Sequence, residues 1–410
     1  MIETKFKHTE IGLIPEEWKV GLLGDYTENY TGLTYSPSDV CEYGTLVLRS
    51  SNIQNDILSF SNNVFVKMNI PQRAMAQKGD ILVCVRNGSK SLIGKSAKVT
   101  VDGMAFGAFM TVLRTKKLHK EFLLFLWRAG YIQQQIHTLL GATINQITNA
   151  DIKCFNVAIP TPKEQQRIAT ALSDIDALIS AFNKKIEKKK LIKQGAMQQL
   201  LTGQKRLQGF SEPWIEVKID DLFNIGNGYT PSKEVSSYWE NGTIPWFRME
   251  DIRTNGRILK DSIQHITKLA VKNSGLFPAY SIILSTTATI GEHALLIADS
   301  LANQQFNFLT RKLNRCGDID VMYFFHYCFI LGEWCRANIN EGGLAAVNMT
   351  DLKNYTFTIP PTIAEQTVIA EILSDMDKEI AELESKRTKY DRIKQGMMQQ
   401  LLTGKIRLTD

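Results

Sequence analysis

The chain contains one long segment twice, and this duplication limits the possible folds more than any other feature of the sequence. The segment EQQRIATALSDIDALIS, which begins at Glu164, returns as EQTVIAEILSDMDKEIA at Glu365. The two copies stay aligned without a gap to Leu207 and Leu408, and more than half of the aligned residues are identical. The sequence therefore predicts two related halves, each of which ends in the repeated segment.

Each copy is predicted to form one long helix of about 40 residues, roughly 60 Å in length. Apolar residues recur in alternating steps of three and four, the heptad pattern of helices that pack along their length. Prolines precede both copies, and Gly203 and Gly404 follow them as typical C-terminal stop signals. The predicted seam consists of Ile168, Leu172, Ile175, Ile179, Phe182 and Ile186 in the first copy, and of Ile369, Leu373, Met376, Ile380, Leu383 and Tyr390 in the second.

Two arrangements of these helices fit the pattern. Each helix could cover the core of its own domain, or the two copies could pack against each other. So long a heptad has little globular surface to cover, which favours packing of the two copies against each other. In a centred antiparallel coiled coil, Lys189 and Lys190 face Glu384 and Glu382, and these opposite charges favour that orientation. The lysines could equally form a solvated face or a strip that faces DNA phosphates.

The segments before the two helices also resemble each other, although more faintly. WKVGLLGD at Trp18 parallels WIEVKIDD at Trp214, and GTLVLRSSNI at Gly44 parallels GTIPWFRMEDI at Gly242. β-rich runs alternate with helical stretches in both segments. These runs are Ile81–Val85 and Ile282–Leu284, with helical stretches near Phe122–Leu140 and Met322–Ile339.

We therefore predict an α/β protein with a pseudo-twofold internal duplication, in which two similar α/β domains are separated by two long helices packed as an antiparallel coiled coil. The predicted boundaries are 1–158 for the first domain, 159–207 for the first helical region, 208–358 for the second domain and 359–410 for the second helical region.

Composition excludes several classes of protein. The longest apolar stretch, Val321–Leu331, is interrupted by His326 and is too short to span a bilayer, and the N-terminus lacks the apolar segment of a signal peptide. We expect a cytoplasmic protein without a membrane partner. The six cysteines and six histidines form no metal-binding or catalytic pattern, so we expect neither a metal site nor catalytic residues.

Three motifs, each present twice, carry a resemblance to a known family: the IP(T/P)…EQ entry, the LSD-x-D start and the IKQG-x-MQQLLTG close of each helix. With them the chain resembles the specificity (S) subunit of type I restriction-modification systems. The resemblance implies two target recognition domains that alternate with two conserved helical regions. It also implies recognition of a bipartite, asymmetric DNA target, with one half-site for each recognition domain.

The same resemblance implies the partners. Double-stranded DNA would be the ligand, and two methyltransferase (modification) subunits would dock on the helical regions. Two restriction subunits that contain an ATP-dependent motor can join such a complex. The chain itself would hold no cofactor, because S-adenosylmethionine, ATP and Mg²⁺ would be used by the partner subunits.

An enzyme is the alternative: a self-sufficient DNA methyltransferase or nuclease with an unrecognised active site. The Asn-Pro-Pro-aromatic motif of adenine methyltransferases is missing, and no G-x-G-x-x-G follows a predicted strand. The run from Gly88 to Ser96 has one residue too many between its glycines for a phosphate-binding loop. A scaffold without DNA-reading function is a third hypothesis, against which the divergence of the domain loops argues.

The candidate DNA-contacting residues are those whose side chains can pair with base edges or phosphates. In the first domain, a turn offers cations, amides and hydroxyls, although a solvated hairpin tip would have the same composition. The turns GLTYSPS and GYTPS each present a tyrosine that could stack on a base or pack in the domain. The first-domain candidates are Tyr35, Arg49, Ser51, Asn52, Arg86, Asn87, Ser89, Lys90 and, for phosphates, Lys95 and Lys98. The second-domain candidates are Tyr229, Arg248, Thr286, Thr287, Gln304, Gln305, Asn307 and, for phosphates, Arg253 and Arg257.

Overall fold

The computed structural model describes residues 5–142, 145–272, 275–340 and 345–409. The chain folds into two compact units. The first comprises Met1–Lys184 together with Glu384–Asp410, and the second comprises Lys185–Leu383. Each unit therefore contains one α/β domain and one half of each long helix. The predicted boundaries between domains and helical regions stay predictions.

Both long helices are continuous, as predicted. The first runs Pro162–Leu201 and the second runs Ile363–Leu401. Gly203 and Gly404 follow the helices with φ of +72° and +69°, a left-handed conformation that glycine adopts without steric cost and that ends a helix. The predicted stop signals are therefore confirmed.

The domain of the first unit is built on a four-stranded antiparallel sheet. Its strands lie in the order Ser96–Lys98, Ile81–Cys84, Met110–Thr115 and Thr27–Thr31. A second, mixed sheet has the order Met75–Ala76, Met104–Phe106, Thr45–Leu48, Phe65–Val66 and Val40–Cys41. Strand pairs are formed by Phe6–Thr9 with Gly12–Pro15, Lys19–Leu22 with Asn156–Ile159, and Ile53–Gln54 with Ile57–Leu58. The α-helices before the long helix are Leu23–Tyr26, Lys120–Trp127, Gly130–Ala142 and Asn149–Lys153.

The domain of the second unit repeats this plan. Its main sheet has the order Phe223–Asn227, Phe306–Arg311, Ile282–Ser285, His293–Leu296 and Ile258–Leu259. The smaller sheet has the order Gln264–Ile266, Ile244–Phe247 and Leu301–Ala302, and Ile215–Lys218 pairs with Thr356–Ile359. The α-helices are Ile219–Leu222, Met249–Asn255, Val321–Ala337 and Met349–Asn354. The predicted α/β class is confirmed for both domains. The helical stretch predicted near Phe122–Leu140 consists of two helices, however, whereas its counterpart in the second domain is one helix.

The long helices combine the two arrangements considered from the sequence. In the first unit, Ile168 and Leu172 lie in the domain core together with Leu401 and Leu402 from the end of the second helix. In the second unit, the core contains Ile369 and Leu373 together with Leu200 and Leu201 from the end of the first helix. Each domain core is thus completed by the start of one long helix and the end of the other. Every residue of the predicted seam is buried or half-buried.

Pairs of side chains show the helix halves running antiparallel within each unit. In the first unit, Lys394 Nζ lies 2.6 Å from Asp176 Oδ1, and the rings of Phe182 and Tyr390 stack with centroids 5.4 Å apart. As the residue number rises along one helix it falls along the other. The predicted antiparallel orientation is thus seen inside this unit.

The second unit has the same orientation. Lys193 Nζ contacts Asp377 Oδ1 at 2.5 Å, and Lys189 Nζ contacts Glu379 Oε2 at 2.7 Å. The expectation that Lys189 faces Glu384 was therefore wrong. It placed the two copies centred on each other, whereas Lys189 meets a residue five positions earlier in the second helix.

A buried glutamate explains the EQ motif at the start of each long helix. Glu164 accepts hydrogen bonds from Arg407 Nε (2.7 Å) and Trp18 Nε1 (3.0 Å). Glu365 accepts the equivalent bonds from Arg206 Nε (2.8 Å) and Trp214 Nε1 (3.4 Å). Such a charge-assisted, bidentate pair satisfies a carboxylate that is otherwise costly to bury.

The neighbouring glutamines, Gln165 and Gln366, bridge the start of each helix to its domain. Gln165 accepts from His119 N (3.0 Å) and donates to Pro160 O (3.0 Å), and Gln366 makes the equivalent bonds in the second unit. Among the described helices, the apolar stretches are too short or too charged to traverse a lipid bilayer.

Candidate nucleic-acid interface

The loop after strand Ile81–Cys84 in the first domain and the loop after strand Ile282–Ser285 in the second have the same backbone hydrogen bonds. In the first domain, Val85 N donates to Phe109 O (3.0 Å), and Ile147 N donates to Val85 O (2.9 Å). In the second domain, Thr286 N donates to Gln305 O (3.2 Å), and Val347 N donates to Thr286 O (3.0 Å). We call the exposed edge formed by these loops the rim of each domain; Arg86 and Phe109 in one occupy the places of Thr287 and Gln305 in the other.

The rim of the first domain surrounds an open groove lined by Arg86, Asn87, Gly88, Phe109 and Asn145. Arg86 is exposed, and its guanidinium carbon lies 5.1 Å from the centre of the Phe109 ring. Phe109 as a whole is 57% exposed. The groove therefore presents a cation, an aromatic face and amide groups together, a combination that can contact base edges.

The predicted turn in this domain is held by its own hydrogen bonds. Asn87 Nδ2 donates to Ser50 Oγ (3.2 Å), and Asn87 Oδ1 accepts from Ser89 N (3.1 Å). Lys90 Nζ donates to Leu140 O (3.0 Å), which ties the lysine to the adjacent helix. Below the turn, burial raises the pKa of the Cys84 thiol, so this residue is an uncharged part of the core.

The second predicted group in the first domain is largely structural. Asn52 is fully buried, and it accepts from Arg49 N (2.9 Å) and donates to Ser59 O (3.0 Å). Ser51 is half-buried, with its Oγ enclosed and unpaired among the described residues. Arg49 reaches Asn62 Oδ1 at 3.1 Å. Of these three residues, Arg49 therefore comes nearest to the DNA-contacting role that the sequence predicted.

The remaining candidates of the first domain lie apart from the rim groove. Tyr35 is half-buried and packs on an apolar cluster with Leu33 and Val47. Lys95 is half-buried, and Lys98 forms an ion pair with Glu121. The pairing of Lys98 leaves less of its charge for a phosphate than the sequence suggested.

The rim of the second domain is a network of neutral polar groups. Gln305 Nε2 donates to Thr289 Oγ1 (2.6 Å) and lies 3.3 Å from Thr287 O. Behind it, Asn307 donates to Thr286 Oγ1, and both side chains are buried. The structure thus brings these predicted residues together, but only Thr287 and Gln305 are partly exposed.

Gln304 and the three arginines predicted for this domain differ in their surroundings. Gln304 is exposed and accepts from Thr230 Oγ1 (2.5 Å). Arg253 is exposed, as a phosphate contact requires, whereas Arg248 pairs with Glu250 at 3.1 Å. Arg257 pairs with Glu292 at 3.0 Å.

Arg257 also lies above the Phe329 ring, at 4.4 Å from its centre. Beside it, burial and the charge of Arg257 lower the pKa of His293 to about 3. The hydroxyl of Tyr229 is used by the backbone: it donates to Ala270 O (3.2 Å) and accepts from Lys272 N (2.8 Å). These bonds hold the half-buried Tyr229 in its domain, and stacking of its ring on a base stays a prediction.

Sequence reasoning missed Phe109 and Asn145 in the first rim and Thr289 in the second. The internal repeat contained the signal for Phe109. Gln305 is a predicted site residue of the second domain, and Phe109 is its counterpart: Phe109 lies four residues before Leu113, as Gln305 lies four residues before Leu309. Within the described ranges, no three His, Cys, Asp or Glu side chains come together in a group that could hold a metal ion.

Comparison with known proteins identifies the family. The family described as "Type I restriction modification DNA specificity domain" matches the chain twice, over residues 15–192 and 211–395. The chain belongs to this family. The resemblance seen in the repeated motifs is therefore confirmed, and with it the assignment as a non-catalytic DNA sequence-specificity subunit.

Two relatives are similar over different extents. The type I restriction enzyme EcoprrI specificity subunit of Escherichia coli is 44% identical over 185 residues, and the match spans less than half of either protein (44% of this specificity subunit and 46% of the relative). The putative type I restriction enzyme MjaX specificity subunit of Methanocaldococcus jannaschii is 27% identical, with 99% of this chain and 97% of the relative covered.

Solved structures show the same fold. The S subunit of a type I restriction-modification system from M. genitalium matches with a TM-score of 0.59 at 14% identity, over 98% of this chain and 99% of that one. A chain from a study of complex assembly and conformational transition of the type I R-M system matches with a TM-score of 0.59 at 17% identity, over 96% and 99%.

Proposed function

We propose that this specificity subunit recognises a bipartite, asymmetric DNA target in the cytoplasm, one half-site with each domain, and that it docks two methyltransferase subunits. Those subunits would use S-adenosylmethionine, and two restriction subunits that use ATP and Mg²⁺ would be able to join. One observation carries the proposal: the two rims share a backbone framework but carry different side chains. A shared framework with different readers fits two half-sites of different sequence.

The repeated helix ends support docking of two copies of one partner. Gly195 and Gly396 lie at equivalent, exposed positions inside the long helices, and a Cβ at either would meet open space. A helix-interior glycine is destabilising by about 1 kcal/mol relative to alanine, and packing inside the described chain gives no reason for it. Close approach of a partner backbone would supply the reason.

The residues around each glycine are consistent with a protein partner. Ile192 and Ile393 are 46% and 39% exposed and lie one turn before Gly195 and Gly396. Identical glutamines follow, also one turn away on the same face. An apolar and amide surface of this kind suits a protein partner better than a phosphate backbone, which would attract cations.

DNA binding by the complex with its modification subunits tests the proposal. A mobility-shift assay against random-sequence competitor should give a specific complex, and methylome sequencing of the host should give one target with two defined half-sites. Binding that is absent or independent of sequence would contradict the proposal. Incubation of the chain alone with labelled S-adenosylmethionine and DNA tests the enzyme alternative, and any methyl transfer would favour that alternative.

A further inference from the structure

The structure assigns base discrimination within each half-site to side chains at one pair of equivalent rim positions: Arg86 with Phe109 in the first domain, and Gln305, held by the backbone of Thr287, in the second. This inference rests on the proposed function, since it says which residues read the half-sites. Phe109 was not among the residues predicted from the sequence.

The backbone at the two pairs is held in the same way. Arg86 forms an isolated antiparallel bridge with Gln146, and Thr287 forms one with Ala346. A glycine locks the opposite side of each rim: a Cβ on Gly32 would lie 2.1 Å from the carbonyl oxygen two residues before Phe109. A Cβ on Gly228 would lie 2.2 Å from the carbonyl oxygen two residues before Gln305. Because the backbone is fixed in both domains, recognition differs through the side chains that it presents.

In the first domain, the pair presents a cation and a ring to solvent. Phe109 makes its ring contact with Arg86 and has no place in the apolar clusters of the described core. No carboxylate of the described residues forms an ion pair with Arg86. A free guanidinium can donate two hydrogen bonds to guanine O6 and N7, and an adjacent ring can contact a thymine methyl or wedge between bases. We infer that the first half-site contains a guanine read by Arg86.

In the second domain, the pair presents an acceptor. The Gln305 amide nitrogen donates hydrogen bonds to Thr289 Oγ1 and Thr287 O, and both acceptors belong to the same rim. Those two bonds use the donor end of the amide and orient it, so that its oxygen is the end left to accept. An oriented amide oxygen accepts from the exocyclic amine of adenine N6 or cytosine N4. The second half-site therefore contains a base with an exposed amine, in contrast to the guanine of the first.

Exchange of the pairs tests the inference in the full complex with modification subunits. One variant carries Arg86→Thr with Phe109→Gln, and the other carries Thr287→Arg with Gln305→Phe. The readout is binding to DNA libraries randomised at one half-site at a time, with methylome sequencing in cells as a second measurement. We expect discrimination at one or two base pairs of the altered half-site to fall roughly tenfold or more, because a bidentate contact is worth that much. The other half-site and the spacer should stay unchanged.

The control variant is Arg73→Thr with Tyr43→Gln, which removes an exposed arginine and an exposed ring from the same domain away from the rim. It should keep the wild-type target. Should an exchanged pair disturb folding, the single substitutions Arg86→Lys and Phe109→Leu decide, since lysine keeps the charge but lacks the guanidinium fork. An unaltered target in all rim variants would overturn the inference and leave the proposed function standing. Wild-type complex without half-site preference would overturn the proposed function itself.

Discussion

Two buried histidines in the second unit show how residue environments couple the fold to pH. Burial, and next the charge of Arg257, lower the pKa of His293 to about 3. Burial, and next the charge of Lys193, lower the pKa of His326 to about 3. Although Asp377 lies 4.0 Å from His326 Nδ1, that carboxylate already pairs with Lys193 at 2.5 Å. Both imidazoles are therefore neutral in the folded protein at neutral pH.

We predict that acidification destabilises the second unit through these histidines. An unfolded histidine has a pKa of about 6.5, so between about pH 6.5 and 3 the unfolded chain binds protons that the folded chain does not. The free energy of unfolding is then fully retained above pH 6.5 and falls below it, by about 1.4 kcal/mol per pH unit for each histidine. Chemical denaturation at pH 7.5 and pH 5.0 measures this fall.

The variant His293→Leu should lose less stability on acidification than the wild type, because it removes one titrating group from the unfolded state. His137→Gln is the matched control, since His137 is exposed. Equal pH slopes for wild type and His293→Leu would show that burial of His293 does not contribute.

At the scale of elements, a buried ion pair within each unit joins the start of one long helix to the segment that follows the other. We predict that Arg407→Ala destabilises the first unit by roughly 3–5 kcal/mol, because it leaves the Glu164 carboxylate buried without its partner. Arg206→Ala should cost less, since the Arg206 side chain is 29% exposed and Arg407 is 10% exposed. Urea unfolding monitored by tryptophan fluorescence measures both.

Arg387→Ala supplies the control for this pair of variants. Arg387 pairs with Asp391 four residues away on an accessible part of the second helix. Such a pair contributes only about 0.3–0.5 kcal/mol. A loss at Arg407 no greater than at Arg387 would contradict a structural role for the buried pair.

The exposed helix glycines give a prediction in which stability and assembly change in opposite directions. Gly195→Ala and Gly396→Ala should each raise the free energy of unfolding of the isolated chain by about 0.5–1 kcal/mol, through lower entropy of the unfolded chain. Gly195→Leu and Gly396→Leu should keep the fold but weaken binding of a modification subunit, measured by titration calorimetry. Gln194→Leu, one residue away and also exposed, is the control for added apolar bulk. Unimpaired binding by the leucine variants at both glycines would exclude these positions from the docking surface.

At the scale of the whole molecule, each long helix contributes residues to both units, and the first one also links the two recognition domains along the chain. Pro162–Leu201 contributes Ile168 and Leu172 to the first core and Leu200 and Leu201 to the second. A change of helix length between these ends should act on both units without altering either rim.

We predict that an insertion of four residues near Lys188 changes the spacer between the half-sites or prevents assembly, and leaves each half-site sequence unchanged. Four residues add about 6 Å of helix and shift the seam by roughly half a heptad. An insertion of seven residues keeps the seam in phase and is the matched comparison. Methylome sequencing reads spacer and half-sites together. An altered half-site in either insertion variant would show that the domains do not read independently.

The sequence by itself determined the duplication, the two continuous helices with their glycine ends, the α/β class and the family. These features are periodic or repeated along the chain, and heptads, end signals and duplicated motifs depend on residues close together in sequence. The heptad also indicated that each long helix needs a partner of similar length, but it did not fix the orientation of that partner.

Only the tertiary structure decided which candidate side chains reach the surface. Asn52, Thr286 and Asn307 have the same residue types as base-reading side chains, yet distant segments bury them. Phe109 has the apolar side chain of a typical core residue, yet the fold exposes it beside Arg86. Lys189 pairs with Glu379, a register of the two helices that the heptad pattern by itself leaves open. Burial and the choice of partner are decided by contacts between segments far apart in the chain, which no local pattern of residues records.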